Sequence, residues 1–221
     1  MTLEILPLEE ADISIYDDIT TEAFDGEILA LLYPNGQSKA DKEFAIARNL
    51  KKWRKHPDTI KKMKVVDTEL PDNDTFRKIV GVADWNIYPR ERSEAELKQE
   101  EEEGKKDDHA PGLNVAFSEH FFSELTKNKN KIFGGKPYVY LHILASRPIH
   151  HRRGAGAMHL NWGLEEAKKL GLPVYLESSP MGRPLYARMG FETVGWLDFD
   201  AKEWGLDHDL PHALMLRPGE K

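Results

Sequence analysis

The chain contains no cysteine. It therefore has no disulfide, no thiolate nucleophile and no sulfur-based metal site, and the lack fits a reducing compartment. Long hydrophobic runs are missing too, since no segment approaches the roughly 20 apolar residues of a membrane span. Charge of one sign is scarce outside a single stretch. The net charge of −7 over 221 residues rests largely on 91–108, with nine acidic and four basic residues. The rest of the chain is near balance, so the overall acidity says little about a site. The acidic run reads as a solvated helix or a disordered insertion at about 89–112. Two familiar phosphate-binding signatures are absent as well. No Gly-Lys-Ser/Thr occurs, which excludes a Walker loop, and His159 stands where a G-x-G-x-x-G dinucleotide fingerprint needs its last glycine.

What is present describes a globular protein: 40% hydrophobic residues, with five Trp and nine Phe. The length fits one domain, 1–221, carrying the acidic insertion. Met1 to Ile13 carries Glu4, Glu9, Glu10 and Asp12, unlike a secretory or transit peptide, so the expectation is a cytoplasmic protein, or also a nuclear one. Lys51 to Lys64 holds seven basic residues and one acid. It could touch nucleic acid or a nucleotide phosphate, but a solvated helix face followed by a loop is favoured, because Trp53 continues the apolar stripe of Ile46 and Leu50.

The most informative stretch is Pro148 to Ala157, with sequence PIHHRRGAGA. A β-branched and aromatic run, Tyr138 to Ala145, precedes it. A helical stripe of Ala157, Leu160, Leu164 and Ala167 follows. A glycine-rich turn between a strand and a helix can aim backbone N–H groups at an anion, aided by the helix dipole. Arg152 and Arg153 make that anion a phosphate or pyrophosphate rather than a carboxylate.

The segment resembles motif A of the GNAT superfamily of acyl-CoA N-acyltransferases, [QR]-x-x-G-x-[GA] after a strand ending near proline; His151 stands at the first position. A second element follows in the expected order. Leu172 to Ser179 reads as a strand, and Gly182 to Gly190 as a short helix with Pro184 in its first turn and Gly190 as its cap, before a strand from Glu192 to Phe199. It is similar to motif B, ending Tyr186-x-x-x-Gly190-Phe191, with Ser179 where the family has Asn. The resemblance spans residues 138–197.

It implies an α/β (α+β) GNAT fold, whose central, mostly antiparallel sheet has one splayed strand pair and flanking helices. It also implies acetyl-CoA as cosubstrate. The pyrophosphate would rest on the turn at Arg152, Arg153, Gly154, Ala155, Gly156 and Ala157, with Leu144, Ala145, Ser146 and Ser179 along the rest of the coenzyme and a backbone N–H near Leu144 or Ala145 polarising the thioester. Leu141-His142-Ile143-Leu144-Ala145 further resembles the Leu-His-x-Leu-Ala of the arylalkylamine N-acetyltransferase branch, in which a His at this position belongs to the proton path. Tyr140 stands in the place of that branch's other His.

The remaining segments supply the order of elements. Leu3 to Leu8 reads as a strand, Thr20 to Leu32 and Ala40 to Lys55 as helices. Met63 to Leu70 and Arg77 to Tyr88 read as a hairpin around a turn at Pro71-Asp72-Asn73-Asp74. A helix from Val115 to Thr126 and a loop to Pro137 come next.

Acyl transfer from a thioester to an amine needs a neutral amine, a polarised carbonyl and a protonated leaving thiolate. Tyr186 is the candidate acid, against a reading in which it only packs on its helix. His142 is the candidate base, because imidazole titrates near neutrality; a strand histidine that merely packs is the competing reading. By strict alternation His142 shares a strand face with Tyr140 and Leu144. Asp84 and Glu177 are reserve bases or structural polar groups. Trp85 could wall an acceptor pocket or pack in the core. His150, His151 and His159 invite a metal, but no H-x-E or H-E-x-x-H pairing accompanies them and no cysteine helps, so the expectation is no metal. The expectation is an N-acetyltransferase for a small-molecule primary amine, acting by direct attack as a monomer or homodimer, with no nucleic-acid or membrane partner. A coenzyme A-binding scaffold without turnover, or an enzyme acting on protein amines, is the alternative.

Overall fold

A computed structural model describes residues 2–24, 26–71, 75–105 and 108–219. The order is β1 (Leu3–Pro7), α1 (Ile13–Phe24), α2 (Glu27–Leu32), α3 (Lys39–Lys55), β2 (Ile60–Asp67), α4 (Thr75–Lys78), β3 (Ile79–Tyr88), α5 (Glu94–Lys105), α6 (Val115–Phe133), β4 (Tyr138–Ser146), α7 (Ala155–Leu170), β5 (Val174–Ser178), α8 (Arg183–Arg188), β6 (Glu192–Trp196) and β7 (Ala213–Arg217). The strands form one sheet in the order β1-β2-β3-β4-β5-β7-β6. All neighbours are antiparallel except β4 and β5, which are parallel because α7 carries the chain back across the sheet between them.

Side-chain alternation gives the sheet two apolar faces. Ala83, Trp85, Ile87, Val139, Leu141, Val174, Leu176 and Met215 pack on one, with Leu160 and Ala167 of α7. On the other, Ile13, Tyr16 and Ile19 of α1 meet Val66, Val82 and Ala145, while Phe117, Phe121 and Leu125 of α6 join the cluster containing Tyr138, Tyr140, Tyr175 and Leu214. Helix α6 has its apolar residues four apart and begins at Asn114, whose side chain accepts from the Phe117 N–H.

Several boundaries differ from the sequence reading. The helix expected over Thr20–Leu32 is two helices, α1 beginning at Ile13 and α2 beginning after Gly26. Strand β2 runs from Ile60 to Asp67, starting and ending three residues before the expected Met63 to Leu70, so Lys61 and Lys62 belong to the sheet rather than to a loop. A helical turn, α4, precedes β3, and α6 runs on to Phe133. Residues 72–74 of the expected turn lie outside the described residues. Within the acidic run, Glu94–Lys105 is helical as α5. Its Glu103 bonds Lys55 of α3, its Glu100 accepts from Arg92 at 2.8 Å, and the Arg92 guanidinium lies 3.9 Å from the centre of the Tyr88 ring. The basic stretch 51–64 is largely answered by carboxylates: Arg54 bonds Glu10, Lys62 bonds Asp84 and Lys64 bonds Asp12.

Candidate active site

Strands β4 and β5 are in register at only two positions, Val139 with Val174 and Tyr140 with Tyr175. Beyond them β4 continues to Ser146 with its partners in β3, and β5 continues to Ser178 with its partners in β7. The strands part after Tyr140 and Tyr175. Leu144, Ala145 and Ser146 lie on the β4 side of this gap, and Ser179 just past the β5 side. Ser179 also has a local duty, its hydroxyl accepting from the Gly182 N–H at 3.3 Å in the turn before α8.

The turn that enters α7 stands at the end of β4. Gly154 adopts φ +96° and ψ −2°, a left-handed conformation costly for a side-chain-bearing residue, and a Cβ placed there would meet no atom within 4 Å. Gly154 precedes α7 without a capping side chain, and the first helical bond runs from the Met158 N–H to the Gly154 carbonyl at 3.0 Å. The N–H groups of Ala155, Gly156 and Ala157 thus precede the helical ladder and carry the positive end of a 16-residue helix. Arg152 is exposed and holds φ +62°, the only non-glycine positive φ among the described residues. Arg153 behaves differently. Its guanidinium bonds Asp67 at the end of β2 and donates to His150 Nδ1 at 2.7 Å, and it holds the Asp67 carboxyl below its ordinary pKa. Arg153 buttresses the turn against the sheet, and Arg152 is left as its outward-facing cation. A Cβ added at Gly156 would stand 3.0 Å from Leu185 of α8 and 4.0 Å from Leu144 of β4, so α7, α8 and β4 converge there.

His142 is the extra residue of a β-bulge. Asp84 of β3 is opposite Ile143, while Trp85 is opposite Leu141. The insertion flips the alternation of β4. Tyr140, Ile143 and Ala145 pack on the face covered by α1 and α6, but Leu144 packs on the α7 face. The expectation that Leu144 shares a face with Tyr140 and His142 is therefore incorrect, because strict alternation does not survive a bulge. His142 is half-buried with Nδ1 3.4 Å from the Tyr140 hydroxyl oxygen, and that hydroxyl donates to Glu177 Oε2 of β5 at 2.8 Å. Lys129 of α6 lies 4.3 Å from the centre of the Tyr140 ring. Burial, with Lys52, Lys129 and Lys62 nearby, holds the His142 pKa well below its ordinary value, so the imidazole is neutral at neutral pH. Burial pushes the Glu177 carboxyl up, opposed by Lys129. Asp84 shares this face but is bound to the buried Lys62, whose ammonium lies 4.3 Å from the centre of the Tyr16 ring.

Tyr186 lies on the other face of the sheet, in the cluster under α7. Its ring meets Phe191 edge-on with centroids 6.0 Å apart, and burial pushes the phenol pKa up, so it holds its proton. Trp85 is also on that face, fully buried against Trp162 and Gly163. Residues 84 and 85 alternate across the sheet, so Trp85 cannot wall a pocket beside His142; it is a core residue. His159 is fully buried within α7 with its pKa lowered to about 4 by burial, apart from the exposed His151. Among the described residues no three His, Asp or Glu side chains are placed to hold a metal ion, and no helix is long and apolar enough to cross a membrane. The sequence reading missed Lys129 and Lys62. Lys129 continues the four-residue spacing of Phe117, Phe121, Leu125 and Phe133 on α6, a cation in an apolar stripe that could have marked it.

No protein-family model matches the chain. A 43-residue stretch is 46% identical to a probable acyltransferase SID5 of Ajellomyces capsulatus, covering 20% of this chain and 32% of that protein, about a third of its length. Among solved structures, a mosquito arylalkylamine N-acetyltransferase like 5b aligns over 98% of this chain and 100% of its own, at 15% identity and a TM-score of 0.65. Arabidopsis thaliana NAA60, solved in complex with acetyl-CoA, aligns over 97% of both chains at 16% identity and a TM-score of 0.54. With its parted β4 and β5, the mixed seven-stranded sheet is the fold of the GNAT acetyltransferases.

Proposed function

We propose that the protein is an acyl-CoA-dependent N-acyltransferase moving an acetyl group to the primary amine of a small molecule. One observation carries the reading: the gap between β4 and β5 opens toward the uncapped N-terminus of α7. A pyrophosphate on the N–H groups of Ala155, Gly156 and Ala157, with Arg152 beside it, leaves the pantetheine to run along Leu144, Ala145 and Ser146 toward Ser179. The thioester then lies in the gap, between two sheet faces of different chemistry.

His142, on the α1 and α6 face, takes the proton that the attacking amine must lose. Tyr186, on the α7 face, supplies one to the leaving thiolate. An imidazole already neutral is a competent acceptor, and a phenol that resists ionisation is a competent donor. A backbone N–H of β4 near Leu144 or Ala145 polarises the carbonyl. Attack is direct. Tyr140, Glu177 and Asp84 line the acceptor side. The domain is 1–221, with the α5 region as an insertion, and works in the cytoplasm.

Acetyl-CoA should raise the melting temperature, as a ligand selective for the folded state does. Gly154→Asp should remove that shift, because it places a carboxylate against the pyrophosphate and a side chain on a left-handed backbone. Stabilisation by NAD or ATP but not by coenzyme A would overturn the reading.

A further inference from the structure

Glu177 of β5 and Tyr140 of β4 touch across the point where their strands separate, and Tyr140 touches His142. This row of three is more specific than a polar lining. The Tyr140 hydroxyl has one hydrogen, and the 2.8 Å contact commits it to Glu177 Oε2. Its oxygen can then only accept from His142. Nδ1 of His142 must therefore carry the imidazole hydrogen, which leaves the lone pair on Nε2. Free imidazole has no such constraint.

We propose that Glu177 acts through Tyr140 as the positioning residue that fixes the His142 tautomer and as the final holder of the amine proton. The inference rests on the acyltransfer reading above. As the amine nitrogen bonds to the thioester carbon and the carbon–sulfur bond breaks, the N–H proton moves to His142 Nε2. The Nδ1 proton passes to the Tyr140 oxygen, and the Tyr140 proton passes to the Glu177 carboxylate. Glu177 ends neutral, His142 and Tyr140 end neutral as they began, and the charge leaves with the thiolate until Tyr186 protonates it. Burial raises the proton affinity of Glu177, which suits an acceptor at the end of such a row. The other charged groups about His142 are Lys52 of α3, Lys62 of β2, Lys129 of α6 and Asp84 of β3. Asp84 is bound to Lys62, so Glu177 is the carboxylate joined to the imidazole through hydrogen bonds.

The test needs no acceptor to begin. In the full chain labelled with ¹⁵N-histidine, two-bond nitrogen–proton correlation at neutral pH reads each tautomer. Wild type should show His142 as the Nδ1–H form. Glu177→Gln keeps an acceptor for the Tyr140 hydroxyl and should keep that form. Glu177→Met frees the hydroxyl to donate to Nδ1 and should convert His142 to the Nε2–H form. Tyr140→Phe should do the same, which keeps the test available if Glu177→Met fails to fold.

With an amine found by a thiol-release screen, Glu177→Gln and Glu177→Met should each lower kcat at least about 10-fold, since positioned acid–base groups are worth about 10²–10⁴. The KM for acetyl-CoA should hold. An Nε2–H form in wild type overturns the proposal. So does an unchanged tautomer in both Glu177→Met and Tyr140→Phe, or a raised amine KM at constant kcat, which would make Glu177 an acceptor contact. Absence of coenzyme A binding in wild type overturns the acyltransfer reading instead, and the tautomer spectra distinguish the two failures.

Discussion

Tyr186 separates chemistry from packing more cleanly than any other single position. Its ring rests on Phe191 within the α7-side core, while the proposed work belongs to the hydroxyl alone. Tyr186→Phe should leave the fold and coenzyme A affinity nearly unchanged and lower turnover by about 10²–10⁴. Equal turnover where chemistry limits the rate would reduce the residue to a core tyrosine. Legibility followed the range of the interactions. Gly154 and Tyr186 were readable because a left-handed turn and a helix ending in Gly-Phe are local patterns. The divided duties of Arg152 and Arg153 were not, since Asp67 lies 86 positions away in sequence. Nor was the Tyr140–Glu177 bond, which exists only because α7 lays β5 alongside β4.

Helix α7 offers a case in which local preference and packing give opposite signs. Gly163 lies inside the helix, where exchanging glycine for alanine ordinarily gains roughly 0.5–1 kcal/mol. A Cβ there would come within 2.2 Å of the Trp85 ring, which is fully enclosed. Overpacking of this kind costs about 1–3 kcal/mol, so Gly163→Ala should lower the urea midpoint, and adding Trp85→Phe should recover part of the loss. A rise in stability for the single variant would mean that the helix does not sit so close to β3. Most elements were legible because their periods are plain, as in α3, α6 and β4. The failures have definable causes. The start of α1 is not legible in the pattern because its first turns bury Ile13, Tyr16 and Ile19 while Ile15 packs only partly against the core. Leu144 of β4 falls on the face opposite to the one alternation assigns it, because a bulge has no signature in a single strand.

At the scale of the whole molecule, buried titratable groups tie stability to acidity. His159 is fully enclosed, with a folded pKa of about 4. The unfolded chain therefore takes up this proton first as the pH falls below about 6.5. Stability from a neutral His159 is complete above that value and drains away as pH drops toward 4, a loss on the order of 3 kcal/mol for such a shift. Urea unfolding at pH 7.5 and pH 5 should show a smaller acid loss in His159→Leu than in wild type. Identical losses would mean that the histidine meets solvent or a partner when protonated. The same molecule is open elsewhere, along half of one seam. An interior sheet normally closes each strand on both sides, yet β4 and β5 are joined at two positions and then leave facing edges unfilled. Edges of this kind usually invite another polypeptide strand. Here the gap ends where α7, α8 and β4 converge at Gly156, so the occupant it favours is one that brings its own amides in a line. In that sense the sheet is short of one strand, and on the proposed acyltransfer reading the pantetheine arm of the cosubstrate, with two amide groups in its length, would supply it for one turnover at a time.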